Sequence, residues 1–173
     1  LWLRVPETIR ITLTGVLRQG VTSKDLALTL IGELGADGAN YAAVEFDGEG
    51  VRGMTADARA VLPNMMAEMG AKNAVIAPDK TTWRWLEAQL SRRYSDTNEV
   101  QTALERMRAN ALYPDDDAAY AAHHTVDLST IEPTIAVPHQ VDHRAALSEV
   151  MGTRVDVGFI GTCTNGRLED IAA

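Results

Sequence analysis

Between Ile9 and Leu34 the spacing of apolar residues changes from two to about 3.6, and this change constrains the fold more than any other feature of the chain. Ile9, Ile11 and Leu13 alternate with Arg10, Thr12 and Thr14 inside a segment, residues 3–17, that also holds Val5. That pattern predicts a strand with one apolar face. Gly20 turns the chain into Thr22-Ser23-Lys24-Asp25, which resembles a capping box, and Leu26, Ala27, Leu30, Ile31 and Leu34 form a helical face that stops at Gly35. Turn residues over 36–40 lead to a short strand over 41–46 closed by Asp47-Gly48. Thr55 is placed to cap a helix whose buried face carries Val61, Leu62, Met65, Met66 and Met69, with Gly70 at its left-handed end. Pro63 lies inside that helix and removes a backbone donor at a cost of ~3 kcal/mol or more, so the helix is expected to kink there or restart there.

A buried strand over 73–77 and a helix over 81–92, with Trp83, Leu86 and Leu90 at helical spacing, continue the alternation. From Arg93 the composition turns polar, with one helix expected over 100–109 and a solvated loop at Pro114-Asp115-Asp116-Asp117. The apolar pattern resumes over 134–137, followed by an expected helix over 142–150 and an expected strand over 155–160. Repeated strand-helix-strand order predicts a layered α/β fold.

Composition narrows the function classes. With 173 residues, 46% of them hydrophobic and 23% charged, the chain matches a folded globular protein of one ordinary or two small domains. Sixteen basic against 24 acidic side chains leave a net charge of −8 with no basic stripe, which argues against a nucleic-acid partner. No apolar run approaches the ~20 residues of a bilayer helix, and the opening residues lack signal-peptide features, so a cytoplasmic protein without a membrane partner is expected. A start on Leu1 and a stop ten residues past the single cysteine suggest an internal fragment.

Chemistry concentrates in two places. Cys163 lies in Gly161-Thr162-Cys163-Thr164-Asn165-Gly166, between an expected strand end and an expected helix start, where free backbone N–H groups favour a thiolate. A lone cysteine is also often a small buried apolar group, and a nucleophile would need a base that none of His123, His124, His139 or His143 is evidently placed to provide. Glu45 interrupts an apolar strand between Val44 and Phe46, just before a glycine turn. It either faces solvent from a half-buried strand, as alternation predicts, or serves a site at the strand ends of an α/β sheet. Asn165 is placed to cap the helix opening at Gly166. His139 and His143 straddle an expected helix boundary and do not form a zinc pair, and Gly158-x-x-Gly161 is not a dinucleotide fingerprint.

The segment from Val155 to Ile171 resembles the first iron-sulfur signature of the aconitase superfamily, in which an apolar strand runs into Gly-Ser/Thr-Cys-Thr-Asn and a helix. Val5-Pro6-Glu7-Thr8, Gly20-Val21-Thr22-Ser23-Lys24-Asp25, Val44-Glu45-Phe46, Asn64-Met65, Glu68-Met69-Gly70-Ala71-Lys72 and Pro78-Asp79 follow the order found in large subunits of isopropylmalate dehydratase and homoaconitase. The resemblance covers nearly the whole chain and adds little only over residues 93–132. It implies three-layer α/β domains with a mixed or parallel sheet flanked by helices, one over residues 1–127 and the start of a second over 128–173.

The resemblance also implies a hydro-lyase that isomerises a malate-type di- or tricarboxylate by dehydration and rehydration. Isopropylmalate dehydratase is the favoured parent, with homoaconitase, aconitase and dimethylmalate dehydratase as neighbours and a non-catalytic α/β module as the alternative from another class. Cys163 matches the first of three thiolates that hold a [4Fe-4S] cluster; the other two are expected in a Cys-x-x-Cys outside this chain. Glu45 matches the family's active-site glutamate, and Thr164 and Asn165 match residues that shape the cluster pocket. A small swivel subunit or domain is the implied protein partner. The fragment alone is expected to be inactive. Pro63, where many relatives carry Cys or another small residue, is the local departure from the pattern.

Overall fold

Residues 2–172 are described by a computed structural model, without the side chains of Cys163 and Asn165. The described chain gathers into two compact units, Ile76–Ala118 and the remainder.

In the larger unit, β1 (Thr8–Thr14), β2 (Ala43–Asp47), β3 (Asn73–Ile76) and β4 (Ala122–Asp127) form a sheet in the order β3-β2-β1-β4. β1 runs parallel to both neighbours, with Arg10 opposite Glu45 on one side and His123 on the other. Parallel pairs need crossovers, and the helical pattern after Gly20 supplies the first: α1 (Ser23–Leu34) carries the chain from β1 to β2. The alternation of the sequence is realised on the sheet. Ile9, Ile11, Leu13, Val44 and Phe46 are buried together with Leu26, Ala27, Leu30 and Ile31 of α1, while Arg10, Thr12, Glu45 and Asp47 lie half-buried on the opposite face.

A short helix, α2 (Glu49–Gly53), precedes α3 (Ala56–Met65), and α3 adds Val61, Leu62 and Met65 to the core. Thr55 caps α3 by accepting the Ala58 N–H at 3.0 Å. Pro63 neither restarts nor ends the helix; α3 continues through it to Met65, then tightens to a 3-10 turn over Met66–Met69 that closes at Gly70 with φ 78°. Arg59 is buried, and its guanidinium donates to the carbonyls of Val51 and Arg52, so the end of α2 meets its acceptor needs from α3.

Asp25 performs two tasks. Its Oδ2 accepts from the N–H and hydroxyl of Thr22 at 2.7 and 2.8 Å, securing the start of α1, and its Oδ1 accepts the N–H of Thr134 at 2.8 Å. Thr134 opens an antiparallel hairpin of β5 (Thr134–Ala136) and β6 (Arg144–Ala146) that packs on α1. Gly32 permits that approach, because a Cβ there would overlap the Arg144 side chain, whose guanidinium meets Glu33 at 3.1 Å.

In the smaller unit, α4 (Lys80–Arg93) and α5 (Thr97–Ala109) form a helical pair. Asp79 and Asp96 cap them, and Leu90, Val100 and Leu104 pack with Leu86, Tyr94 and Ala103.

Several expectations are corrected. The strand at 73–77 is a sheet edge rather than buried, with Val75 46% exposed. Val5 lies outside β1 and is exposed. The helix expected over 142–150 is replaced by β6 and a 3-10 turn, Leu147–Glu149, because Arg144–Ala146 satisfies its backbone by pairing with β5. Residues 155–160 form no strand: Val155, Val157, Phe159 and Ile160 are exposed and no neighbouring strand is paired to them. An extended apolar run becomes a strand only when a second strand accepts its N–H and C=O groups. No helix among the described residues is long and apolar enough to cross a membrane.

Candidate functional site

Strand alternation that buries Val44 and Phe46 turns Glu45 and Asp47 to the polar face of the sheet. The register of β1 and β4 brings Arg10, Thr12 and His123 to the same face. Tyr120 joins them from the segment just before β4. The neighbouring Ala121 N–H donates to Thr8 O at 2.8 Å, which fixes the backbone of Tyr120 beside the start of β1.

The side chains form one connected cluster. Tyr120 donates its hydroxyl to Glu45 Oε1 at 2.9 Å. The Arg10 guanidinium lies over the Tyr120 ring at 5.2 Å, and the His123 ring meets that ring edge-on at 5.0 Å. Arg10 Nε donates to Asp47 Oδ2 at 2.9 Å, its second nitrogen contacts the same oxygen, and Thr12 donates to Asp47 Oδ1 at 2.7 Å. Each side chain of the cluster therefore restrains the next.

The charges respond to these contacts. Burial raises the phenol of Tyr120, and the hydrogen bond to Glu45 and its negative charge raise it further, so the hydroxyl stays protonated and available as a donor. The hydrogen bond to Asp47 raises Arg10 above its ordinary value. Burial pushes the Asp47 carboxyl up, but donation from Arg10 and Thr12 outweighs it and leaves the group below its ordinary 3.8.

A carboxyl depressed on folding stabilises the fold fully above its ordinary value, and that contribution is lost as pH falls through the folded-state value. Asp47→Asn is therefore expected to be less stable than the parent at neutral pH, with the gap closing as pH falls below the ordinary carboxylate value of 3.8. Urea denaturation across that range reads the difference; a gap that stays constant into acid contradicts the assignment.

The cysteine segment lies elsewhere in the same unit. Thr162–Asn165 forms a helical turn, and Thr162 has φ 75°, an uncommon conformation for a β-branched residue. The turn is held against α3: Asn64 Nδ2 donates to Thr164 Oγ1 at 2.9 Å, and Thr55 Oγ1 donates to the Glu169 carboxylate at 3.0 Å. Arg167 donates to Asp57 O. The side chains of Cys163 and Asn165 lie outside the described residues. The cap expected at Asn165 therefore also lies outside what is described; the next turn, Leu168–Ile171, opens at Arg167, whose N–H donates to Asp170 Oδ2 at 2.9 Å.

The four residues singled out from sequence thus fall in two places, Glu45 on the sheet face and 163–165 in a turn held against α3. Arg10, Asp47, Tyr120 and His123 were not singled out with Glu45. The available signal was the charged residue at alternate positions of two neighbouring strands. Among the described residues no group of three or more His, Cys, Asp and Glu is placed to hold a metal ion, and the chain has one cysteine, so its donor set does not hold a four-iron cluster by itself. A cleft of about 290 Å³ between the start of α1 and α3, lined in part by Thr22, Ser23, Met54 and Glu169, includes no residue of the Glu45 cluster.

Comparison with known proteins adds ancestry to this geometry. The profile of the aconitase family (aconitate hydratase) matches residues 1–154. The chain is 44% identical over 171 residues to 3-isopropylmalate dehydratase large subunit 1 of Methanopyrus kandleri, covering 99% of this chain and 37% of that protein. It is 43% identical over 171 residues to the probable methanogen homoaconitase large subunit of Methanosarcina mazei, covering 99% and 40%. With 3-isopropylmalate dehydratase large subunit 2 of Archaeoglobus fulgidus the identity is 44% over 170 residues, covering 98% and 38%. The chain spans about two fifths of the length of these curated relatives. A match over most of the chain, on a parallel α/β sheet of the expected kind, places the chain in the aconitase family.

Proposed function

We propose that this chain is the part of a hydro-lyase large subunit that carries an acid-base glutamate and one cluster thiolate. The reaction moves a hydroxyl between adjacent carbons of a malate-type acid, by loss and re-addition of water, in the cytoplasm. The observation that carries the reading is identity of 43–44% to large subunits across nearly the whole chain. Isopropylmalate is the favoured substrate. Homoaconitate chemistry is the second reading, because a relative named as a probable homoaconitase matches almost equally well.

Glu45 supports this chemistry by its position. Its Oε1 is occupied by the Tyr120 hydroxyl, and no hydrogen bond to Oε2 is present among the described residues. Dehydration breaks a C–O bond and a C–H bond on the adjacent carbon and forms a C=C bond. A base outside this chain takes the carbon proton, and the Glu45 carboxyl gives its proton to the departing hydroxyl, which leaves as water. Rehydration runs the same bond changes in reverse and returns a proton to Glu45 as the incoming water forms the new C–O bond. The relatives are named as large subunits, which implies a small subunit or domain, and that partner completes the site.

Cys163 is proposed as one of three cluster ligands, with two further thiolates contributed from outside this chain. When bound, the cluster supplies a Lewis acid for the substrate hydroxyl. Residues 1–127 are proposed to form one aconitase-like domain and residues 128–173 the opening of the next.

The test is an anaerobic assay of the full-length large subunit with its small subunit on isopropylmalate and homocitrate in parallel. Turnover of isopropylmalate is expected to dominate. Preference for homocitrate selects the second reading, and inactivity on both, and on citrate and dimethylmalate as well, with iron bound rejects the hydro-lyase assignment.

A further inference from the structure

We infer that Tyr120 is a positioning residue that fixes the Glu45 carboxylate in one orientation and leaves its second oxygen free for proton exchange. The inference rests on the role proposed for Glu45, and deepens it.

A glutamate on an open sheet face has three side-chain torsions and, left alone, samples several rotamers. Three observations show that Glu45 is not left alone. The Tyr120 hydroxyl reaches Oε1 at 2.9 Å across a sequence separation of 75 residues. Tyr120 is itself clamped, with Arg10 over its ring face and His123 against its edge. Arg10 cannot swing away freely, because Asp47 holds its Nε, and Thr12 and the sheet register hold Asp47. The cluster is therefore a relay of restraints ending on one carboxylate oxygen, and each restraint comes from a neighbouring strand or the segment leading into it. A tyrosine serves this purpose better than a serine or a lysine. Its rigid ring spans the gap with only two torsions to order, and it brings no charge that would neutralise Glu45.

The groups facing Tyr120 are Arg10 from β1, Glu45 and Asp47 from β2, and His123 from β4. Burial and the Glu45 contact both hold the phenol above its ordinary titration range, in keeping with a permanent donor.

The holoenzyme carrying Tyr120→Phe tests the inference, since this change removes the hydroxyl and keeps the ring. Turnover, kcat, is expected to fall about 10- to 100-fold with KM changed less than about twofold, the pattern of a misplaced reacting group rather than of lost substrate binding. A second measurement reads the contact without activity. In protein labelled with carbon-13 at the tyrosine ζ carbon, the Tyr120 signal, assigned by its loss in Tyr120→Phe, is expected to titrate at lower pH in Glu45→Gln than in the parent. Parental kcat in Tyr120→Phe alongside an inactive Glu45→Gln overturns the positioning role and leaves Glu45 in place. Full activity in Glu45→Gln overturns the reading beneath it. If Tyr120→Phe fails to fold, the titration decides without that assignment: parental titration of every tyrosine signal in Glu45→Gln refutes the contact.

Discussion

Glu45→Gln is expected to lower turnover by about 10²-fold or more while the fold and the iron content of the assembled enzyme stay near those of the parent. The separation follows from where Glu45 sits. Its side chain lies on the polar face of β2, away from Val44 and Phe46, so the amide substitutes with almost no change in volume and no disturbance of the core. Gln can still accept from the Tyr120 hydroxyl at the position of Oε1, which preserves the local geometry. What it cannot do is carry a proton to a leaving hydroxyl or take one from water. Steady-state kinetics, with thermal melting and an iron determination on the same preparation, separates these effects. Near-unchanged turnover removes Glu45 from the site, and a large fall in melting temperature assigns it to structure instead.

Cys163→Ala is expected to have the larger effect, abolishing turnover and most of the bound iron in the full-length protein. A four-iron cluster held by three thiolates has no spare ligand, and an alanine methyl offers no electron pair. The consequences for this chain's own structure are expected to be small. The turn Thr162–Asn165 is secured by Asn64 and Thr164, and the stretch before it makes little contact with the buried core. Iron per chain after anaerobic purification, with the brown absorbance of the cluster, is the measurement. Retention of parental iron and turnover refutes the ligand assignment. The pair of variants is informative together, because Glu45→Gln is expected to keep its iron and Cys163→Ala to lose it.

What could be read from the sequence was set by whether the deciding interactions are local. The alternation over 9–14, the helical face from Leu26 to Leu34, the Thr55 cap and the left-handed Gly70 are all decided within a few residues, and each is found as expected. Residues 142–150 carry helical spacing, yet β5 and β6 pair instead, and that pairing depends on a strand ten residues earlier. The apolar run at 155–160 has the composition of a strand and lacks a pairing neighbour. Sequence composition does not encode that lack. At the site, Glu45 was visible because a carboxylate inside an apolar strand is unusual. Tyr120 was not, since it lies in a segment without periodicity and meets Glu45 only through the β1–β4 register.

The double grip of Asp25 bears on how this architecture tolerates change in length. Thr22 and Thr134 are brought to one carboxylate, which ties the start of α1 to the hairpin that follows β4, while β4 is held beside β1 by its own pairing. Closing a flexible loop costs only about 0.6 kcal/mol more for each doubling of its length. A flexible insertion in the connections that join Ile76–Ala118 to the sheet is thus expected to cost the strands that display Glu45 little.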